Sequence, residues 1–292
     1  MKNYLVLGIL KLLAWVPLTY GRLKGSVLGW LVYKANAGPV KVVRVNLRHC
    51  YPDMDEGERD SLCKKRMQHL GKAIFETPQV WRKGNPWITE KITAIHGEHL
   101  FTQAINSPNR GTILIIPHQG NWEVLGLWAA QFKPMTSLYD PPRMAELEHW
   151  IKSSRQQSGA TLVPTNVRGV AALVKALKRG DISGILPDQQ PPASSGEFAH
   201  FMGLSARTMT LIHKLLQRSG AQALMATALR DESGWNLHFI AVDDEIYSDD
   251  QQLSLQALNR GVEAIVALAP EQYQWEYKRF RDQPEGQPSF YG

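Results

Sequence analysis

Gly111-Thr112-Ile113-Leu114-Ile115-Ile116-Pro117-His118-Gln119-Gly120-Asn121-Trp122-Glu123 is the stretch on which the fold turns. Its first half is short, apolar and β-branched, the pattern of a strand buried on both faces. Pro117 ends the run, His118 stands just beyond it, and a helix follows from about Asn121 with Val124, Leu127 and Trp128 on one face. The alternation continues downstream. Residues 135–139 and 161–163 read as strands, Asn166 caps a helix striped by Val170, Leu173, Val174 and Leu177 and closed at Gly180, and residues 182–186 form a strand that delivers Pro187-Asp188. This order predicts an α/β fold with a mixed, mainly parallel sheet flanked by helices.

The flanks extend the prediction. Asp55 with Glu58 resembles a capping box, opening a helix whose apolar stripe of Cys63, Met67, Leu70 and Ile74 runs toward Trp81 until Gly84-Asn85-Pro86 stops it. His96 and His99 read as a polar pair in a loop. Residues 207–220 read as a helix, 223–229 and 235–242 as a strand pair turning at Ser233-Gly234, and 253–268 as a last helix.

A chain of 292 residues, 43% of them hydrophobic, can bury the core of one large α/β domain. Its formal charge of +6 suits a polyanionic partner, whether nucleic acid, anionic lipid or a phosphorylated substrate. The placement of the charge is more informative. Residues 1–52 contain no Asp or Glu but carry Lys2, Lys11, Arg22, Lys24, Lys34, Lys41, Arg44 and Arg48, interleaved with apolar stretches at 4–16 and 27–32. That mixture favours an anionic membrane surface over nucleic acid, which would call for aromatic and basic residues alternating on a sheet face. As a helix the first stretch is about 20 Å long against a hydrocarbon core of about 30 Å, so an interfacial or marginally spanning anchor is expected, with a buried core helix and a signal peptide as the alternatives. The basic residues that follow predict a main domain on the cytoplasmic side. Residues 1–52 are thus expected to form a basic, apolar membrane-associated segment and 53–292 the α/β domain. Cys50 and Cys63 suggest neither a disulfide framework nor a metal site, and Cys63 falls on a helix core stripe.

In open α/β sheets ligands bind beyond the carboxyl ends of strands, which makes His118 and Asp188 candidates by position. Glu123, in the first turn of the following helix, could hydrogen-bond the imidazole and stabilise it once protonated. The spacing alone carries little: with 9 His and 27 acids in 292 positions roughly one chance match is expected, and His238 with Asp243 is such a match, inside a strand. His118 read this way is a catalytic base, a hydrogen-bonded loop histidine or a metal ligand; no neighbouring His or Cys supplies further zinc ligands. Neither phosphate-binding glycine loop is present, and Gly-x-Ser-x-Gly is absent, which disfavours a covalent acyl-enzyme. A His/Glu pair without a protein nucleophile suits direct attack of a hydroxyl on a thioester, with Arg155, Arg168 or backbone N–H groups around Gly120 as oxyanion donors.

At this point the chain resembles the late acyltransferases of lipid A biosynthesis, within the wider lysophospholipid acyltransferase superfamily. The resemblance rests on Asn46-Leu47-Arg48-His49-Cys50-Tyr51-Pro52, the His118 to Glu123 block, Leu186-Pro187-Asp188, and a tail of Ala269-Pro270-Glu271-Gln272-Tyr273-Gln274-Trp275 followed by Arg279-Phe280 and Pro284-Glu285-Gly286. It implies a glycerolipid acyltransferase-like fold and an enzyme on the cytoplasmic face of the inner membrane. It implies acyl carrier protein thioester as donor and a hydroxyl of a lipid A precursor as acceptor, with His118 and Glu123 catalytic and no metal or organic cofactor. Arg155 and Asp188 match positions of the family's active site, and with Asn121 and Gly120 they are expected to bind substrate. His-Gln-Gly-Asn-Trp-Glu departs from the His-Phe-x-x-x-Glu form of the lauroyl enzymes, and Glu276-Tyr277 replaces an aromatic-His pair, so a lysophospholipid or another glycolipid is the alternative acceptor. A non-catalytic lipid-binding protein is the rival from another class.

Overall fold

In the computed structural model, which describes residues 2–142 and 144–291, the basic N-terminal segment folds as α1 (Lys2–Leu13), α2 (Leu18–Lys34) and α3 (Gly38–Cys50), followed by α4 (Glu56–Glu90). Pro17 separates the first two helices, and no helix of the described residues is long and apolar enough to cross a membrane. Tyr4, Leu5, Leu12, Trp15, Tyr20 and Leu23 on these helices and their junction are exposed. The other face of α2 is fixed to α4 by glycine. A methyl group on Gly71 would stand 1.9 Å from the Gly25 carbonyl oxygen, and one on Gly29 would stand 2.0 Å from that of Met67, so the two backbones touch where no side chain fits.

Asp55 caps α4, its carboxylate accepting the N–H groups of Gly57 at 2.7 Å and Glu58 at 3.0 Å. The expected stop at Gly84-Asn85-Pro86 is instead a kink: Gly84 takes φ 66°, and the chain re-enters a helix that lasts to Glu90. Pro86 opens that second piece, where its missing N–H costs nothing.

The sheet is built from β1 (Ile92–His96), α5 (Glu98–Asn106), β2 (Thr112–Ile115), α6 (Trp122–Ala129), β3 (Met135–Tyr139), α7 (Ala145–Gln157), β4 (Ala160–Pro164), α8 (Val167–Lys178) and β5 (Ile182–Ile185). The antiparallel pair β6 (Gly196–Phe201) and β7 (Leu204–Met209) stands apart from it, and α9 (Leu211–Ser219), β8 (Gln222–Arg230), β9 (Trp235–Ala241) and α10 (Gln251–Leu268) complete the fold. The strand order is β1-β9-β8-β2-β5-β3-β4, parallel at every pairing except β8 with β9. It is the mixed, mainly parallel α/β sheet that the alternation predicts.

Strand β2 lies at the centre, and its side chains divide the core. Ile113 and Ile115 join one apolar cluster with Leu173 and Leu177 of α8 and Ile265 of α10, while Leu114 and Ile116 join another with Val124 and Leu125 of α6 and Phe101 of α5. Two local readings need correction. The helix expected at 207–220 begins only at Leu211, because residues 204–209 pair with β6 through a two-residue turn in which Met202 and Gly203 both take positive φ. His96 and His99 are not a loop pair: His96 ends β1 and stacks on His238 of β9 at 4.4 Å, and His99 lies in α5.

Candidate active site

Parallel register brings the site together. Thr112 to Ile115 pair residue for residue with Ile182 to Ile185, and three positions beyond the last pair stand His118 and Asp188. They make two contacts: the His118 backbone N–H donates to Asp188 Oδ2 at 2.9 Å, and His118 Nδ1 is 2.7 Å from Asp188 Oδ1. Asp188 is 4% exposed. Burial pushes its carboxyl pKa up, but the charge of His118, both hydrogen bonds from that residue and the nearby Arg279 outweigh it and hold the group below its ordinary value. Trp122 packs edge-on against the imidazole, ring centroids 4.9 Å apart.

Glu123 turns elsewhere. Its carboxylate pairs with Arg155 of α7, whose Nε donates at 3.2 Å and whose Nη2 makes a second bond, and no hydrogen bond or ion pair joins it to His118 among the described residues. The expectation that Glu123 holds the imidazole is therefore corrected: its carboxylate is turned to Arg155 of α7, and the carboxylate hydrogen-bonded to the ring is that of Asp188. Burial works against the Arg155 charge, yet Glu123 outweighs it and keeps the guanidinium protonated.

Gly120 and Asn121 are held from behind. Gly120 takes φ 60°, and a methyl there would lie 2.0 Å from the Ala228 carbonyl oxygen. Its N–H donates to Gln272 O at 3.2 Å and that of Asn121 to Ala228 O at 2.9 Å. These two amides are already spent, so they are not the free oxyanion donors that the Gln-Gly-Asn turn suggests. The Asn121 side chain points inward, with Nδ2 3.4 Å from Glu76. Arg168 is exposed at the start of α8, which packs on the opposite face of the sheet from α6, and it does not join the site.

The tail supplies a wall that motif spacing around His118 does not reveal. Gln274 donates its N–H to the His118 carbonyl oxygen at 2.9 Å, Tyr273 bridges to Gln119, and Gln272 exchanges hydrogen bonds with Arg230 of β8. Arg279 is buried, donating to the Arg207 carbonyl oxygen at 2.6 Å. The sequence signal for this wall is the tail motif itself, rich in residues too polar for a core yet buried here: Gln272 and Arg279. Glu76, Arg22 and Arg230 are a further buried group behind Asn121, with Glu76 accepting from each Arg Nε at 2.6 Å.

Beside the His118–Asp188 pair, a cavity of about 530 Å³ counting its open mouth runs between α6 and the sheet, lined by Ile116, Trp122, Leu127, Leu138, Leu162 and Leu186. Glu123 and Arg155, paired with each other, are its charged lining. A half-buried His118 paired with a buried Asp188 at the strand ends thus stands next to an apolar cavity, the two connected through Trp122, which lines the cavity and packs on the imidazole. The chain belongs to the bacterial lipid A biosynthesis acyltransferase family, whose model matches residues 1–282. It is 28% identical to a lipid A biosynthesis lauroyltransferase of Escherichia coli K12, over 99% of this chain and 94% of the relative. It is 29% identical to a palmitoleoyltransferase of the same strain, over 98% and 92%, and 22% identical to a myristoyltransferase, over 83% and 75%. The chain is an acyltransferase.

Proposed function

We propose that this enzyme transfers a fatty acyl group from an acyl carrier protein thioester to a hydroxyl of a lipid A precursor, with His118 as general base. The observation that carries the reading is the His118–Asp188 contact, separated from an apolar cavity by Trp122, in a chain of this family. With Nδ1–H donated to Asp188, the Nε2 lone pair of His118 faces the reacting groups. It takes the proton of the acceptor hydroxyl as the oxygen attacks the thioester carbonyl; the tetrahedral intermediate then expels the carrier's thiolate, which recovers that proton from the imidazolium. Arg155, held by Glu123, would offset the charge on the carbonyl oxygen. The amides of Trp122 and Glu123, in the first turn of α6 where no intrahelical acceptor exists, add partial positive charge at the same end.

No acyl-enzyme is needed. Both cysteines are buried and poor thiolates: burial pushes Cys63 up to about 11 and Cys50 higher still. The acceptor lies in a membrane, and residues 1–52 would hold the 53–292 domain to it. The exposed aromatic and aliphatic residues of α1 and α2 would enter the interface of the inner membrane's cytoplasmic leaflet while Lys11 and Lys24 meet anionic headgroups, and the same positive charge would steer the acidic carrier.

Purified protein given acyl carrier protein thioesters and tetra-acylated Kdo-lipid A precursor should yield a product heavier by one acyl group, and His118→Ala should abolish it. Acylation of a lysophospholipid in place of the precursor would move the assignment to another acceptor, and turnover by His118→Ala would sink the mechanism.

A further inference from the structure

We propose that Gly126 and Met135 set the length of acyl chain this enzyme accepts, because the cavity they border is the slot for the donor's acyl chain. The inference rests on the acyl-transfer reading above and deepens it.

Protein interiors are close-packed, so a cavity between a helix and a sheet needs residues that leave it open. Here they are Gly126 on α6, Ala160 on β4 and Gly184 on β5, all lining the cavity. The two glycines differ. A methyl built on Gly184 would lie 2.6 Å from the terminal methyl of Met135, so the Met135 side chain already covers that position and forms a wall. A methyl built on Gly126 meets nothing within 4 Å. Gly126 is in mid-helix, where glycine is a poor choice for the backbone, and its φ is not in the left-handed region. The local conformation does not demand it; the empty space beside it is what it provides.

The occupant is apolar, since the charged lining groups, Glu123 and Arg155, neutralise each other. Trp122 lines the cavity and also packs on the His118 ring, so a chain in the slot would leave its carbonyl beside the base. The donor's chain fits better than one belonging to the acceptor. An acceptor keeps its chains in the bilayer, whereas a chain delivered by a soluble carrier must be shielded from water by the protein, and this apolar cavity lies next to the base. Each methylene so buried is worth roughly fourfold in binding, about 0.8 kcal/mol. Side chains added at Gly126 shorten the slot. Met135, unbranched and adaptable, is the wall whose removal lengthens it.

The test uses hydrolysis-resistant lauroyl-, myristoyl- and palmitoyl-pantetheine amides, titrated calorimetrically into wild type, Gly126→Met and Met135→Ala, alongside turnover with the matching carrier thioesters. Gly126→Met should raise the preference for the shortest over the longest chain by about tenfold or more, and Met135→Ala should move it the other way. Gly126→Ala, which favours the helix, should give the smaller shift in the same direction and keeps the test decisive if the larger side chain prevents folding. Equal preference in all forms, or no binding of any amide, overturns the proposal. The binding arm needs no acceptor. A Gly126-dependent shift without transfer to lipid A precursor upholds the slot and rejects the acceptor assignment, and transfer with unaltered preference does the reverse.

Discussion

His118 and Asp188 are in register. Their strands pair at Ile115 and Ile185, both chains run three residues further, and the two side chains meet at 2.7 Å while the His118 N–H reaches the second carboxylate oxygen at 2.9 Å. The pairing fixes the ring by backbone and side chain together. Asp188→Asn removes the charge that favours the Nδ1–H tautomer and the imidazolium. It should lower kcat by about 10²- to 10⁴-fold with little change in KM, measured by steady-state turnover with thermal unfolding as the check on folding. A loss below tenfold would return the orienting role to Glu123.

Glu123 and Arg155 form one buried-edge pair at the cavity wall. If each acts through the other, Glu123→Gln and Arg155→Met should each cut kcat/KM, and the double variant should be no worse than the weaker single one. Independent roles, such as Glu123 acting on His118 alone, would multiply the two losses. The double-mutant cycle separates these outcomes without any structural assumption about the bound state.

Much of this site is legible in the sequence because it is local. The run from Gly111 to Glu123 holds a strand, a turn that needs Gly120 and a helix start, each signalled within a few residues, and Asp188 is legible by the same rule at the end of its own strand. What the sequence hides is which of two carboxylates reaches the histidine. Glu123 is near in sequence, but Arg155, which claims it, arrives on a separate helix, and the Asp188 contact depends on the register of β2 with β5. The hairpin at 196–209 is hidden for another reason: Ser205, Arg207 and Thr208 interrupt the apolar pattern, and the helix signal of residues 211–219 extends back over them. At Gly84 the breaker residues are read correctly but only bend the helix, since a glycine with positive φ can redirect a chain that Pro86 restarts.

His69 on α4 should make stability fall in mild acid. Its Nδ1 is buried without a hydrogen-bond partner, and burial, with Arg230, Lys72, Arg66 and Arg22 around it, pushes its pKa down to about 2 from the usual 6.5. With the folded pKa below the unfolded one, the unfolded chain takes up a proton that the folded chain refuses. The stabilisation is complete above pH 6.5 and is lost as the pH falls below it, by up to about 1.4 kcal/mol per unit. Between pH 7 and pH 5.5, urea unfolding should show a loss of about 1 kcal/mol from His69 alone. His238, lowered to about 4 by burial and His96, contributes to the same slope. His69→Leu should flatten its own share, and an unchanged slope in that variant would mean the imidazole is hydrated when folded.

Glu76 is the residue on which the buried charges behind the site depend. It is fully buried, and its two oxygens each hold an Arg Nε at 2.6 Å, that of Arg22 from α2 and that of Arg230 from the end of β8. Arg230 also bonds Gln272, whose carbonyl oxygen accepts the Gly120 N–H, so the cluster reaches the turn that follows His118 in two steps. Glu76→Leu leaves two guanidinium groups in low dielectric without a counter-charge and should cost about 3–5 kcal/mol, seen as a lower urea midpoint at unchanged m-value. Replacing Glu76, Arg22 and Arg230 together by apolar residues of similar volume should recover most of that loss, because the desolvation of all three charges is then relieved. If the triple variant stays as unstable as Glu76→Leu, the hydrogen bonds from Arg22 to the carbonyl oxygens of Asp231 and Gly234, both at 2.8 Å, are what ties α2 to the sheet, and the carboxylate serves only to neutralise them.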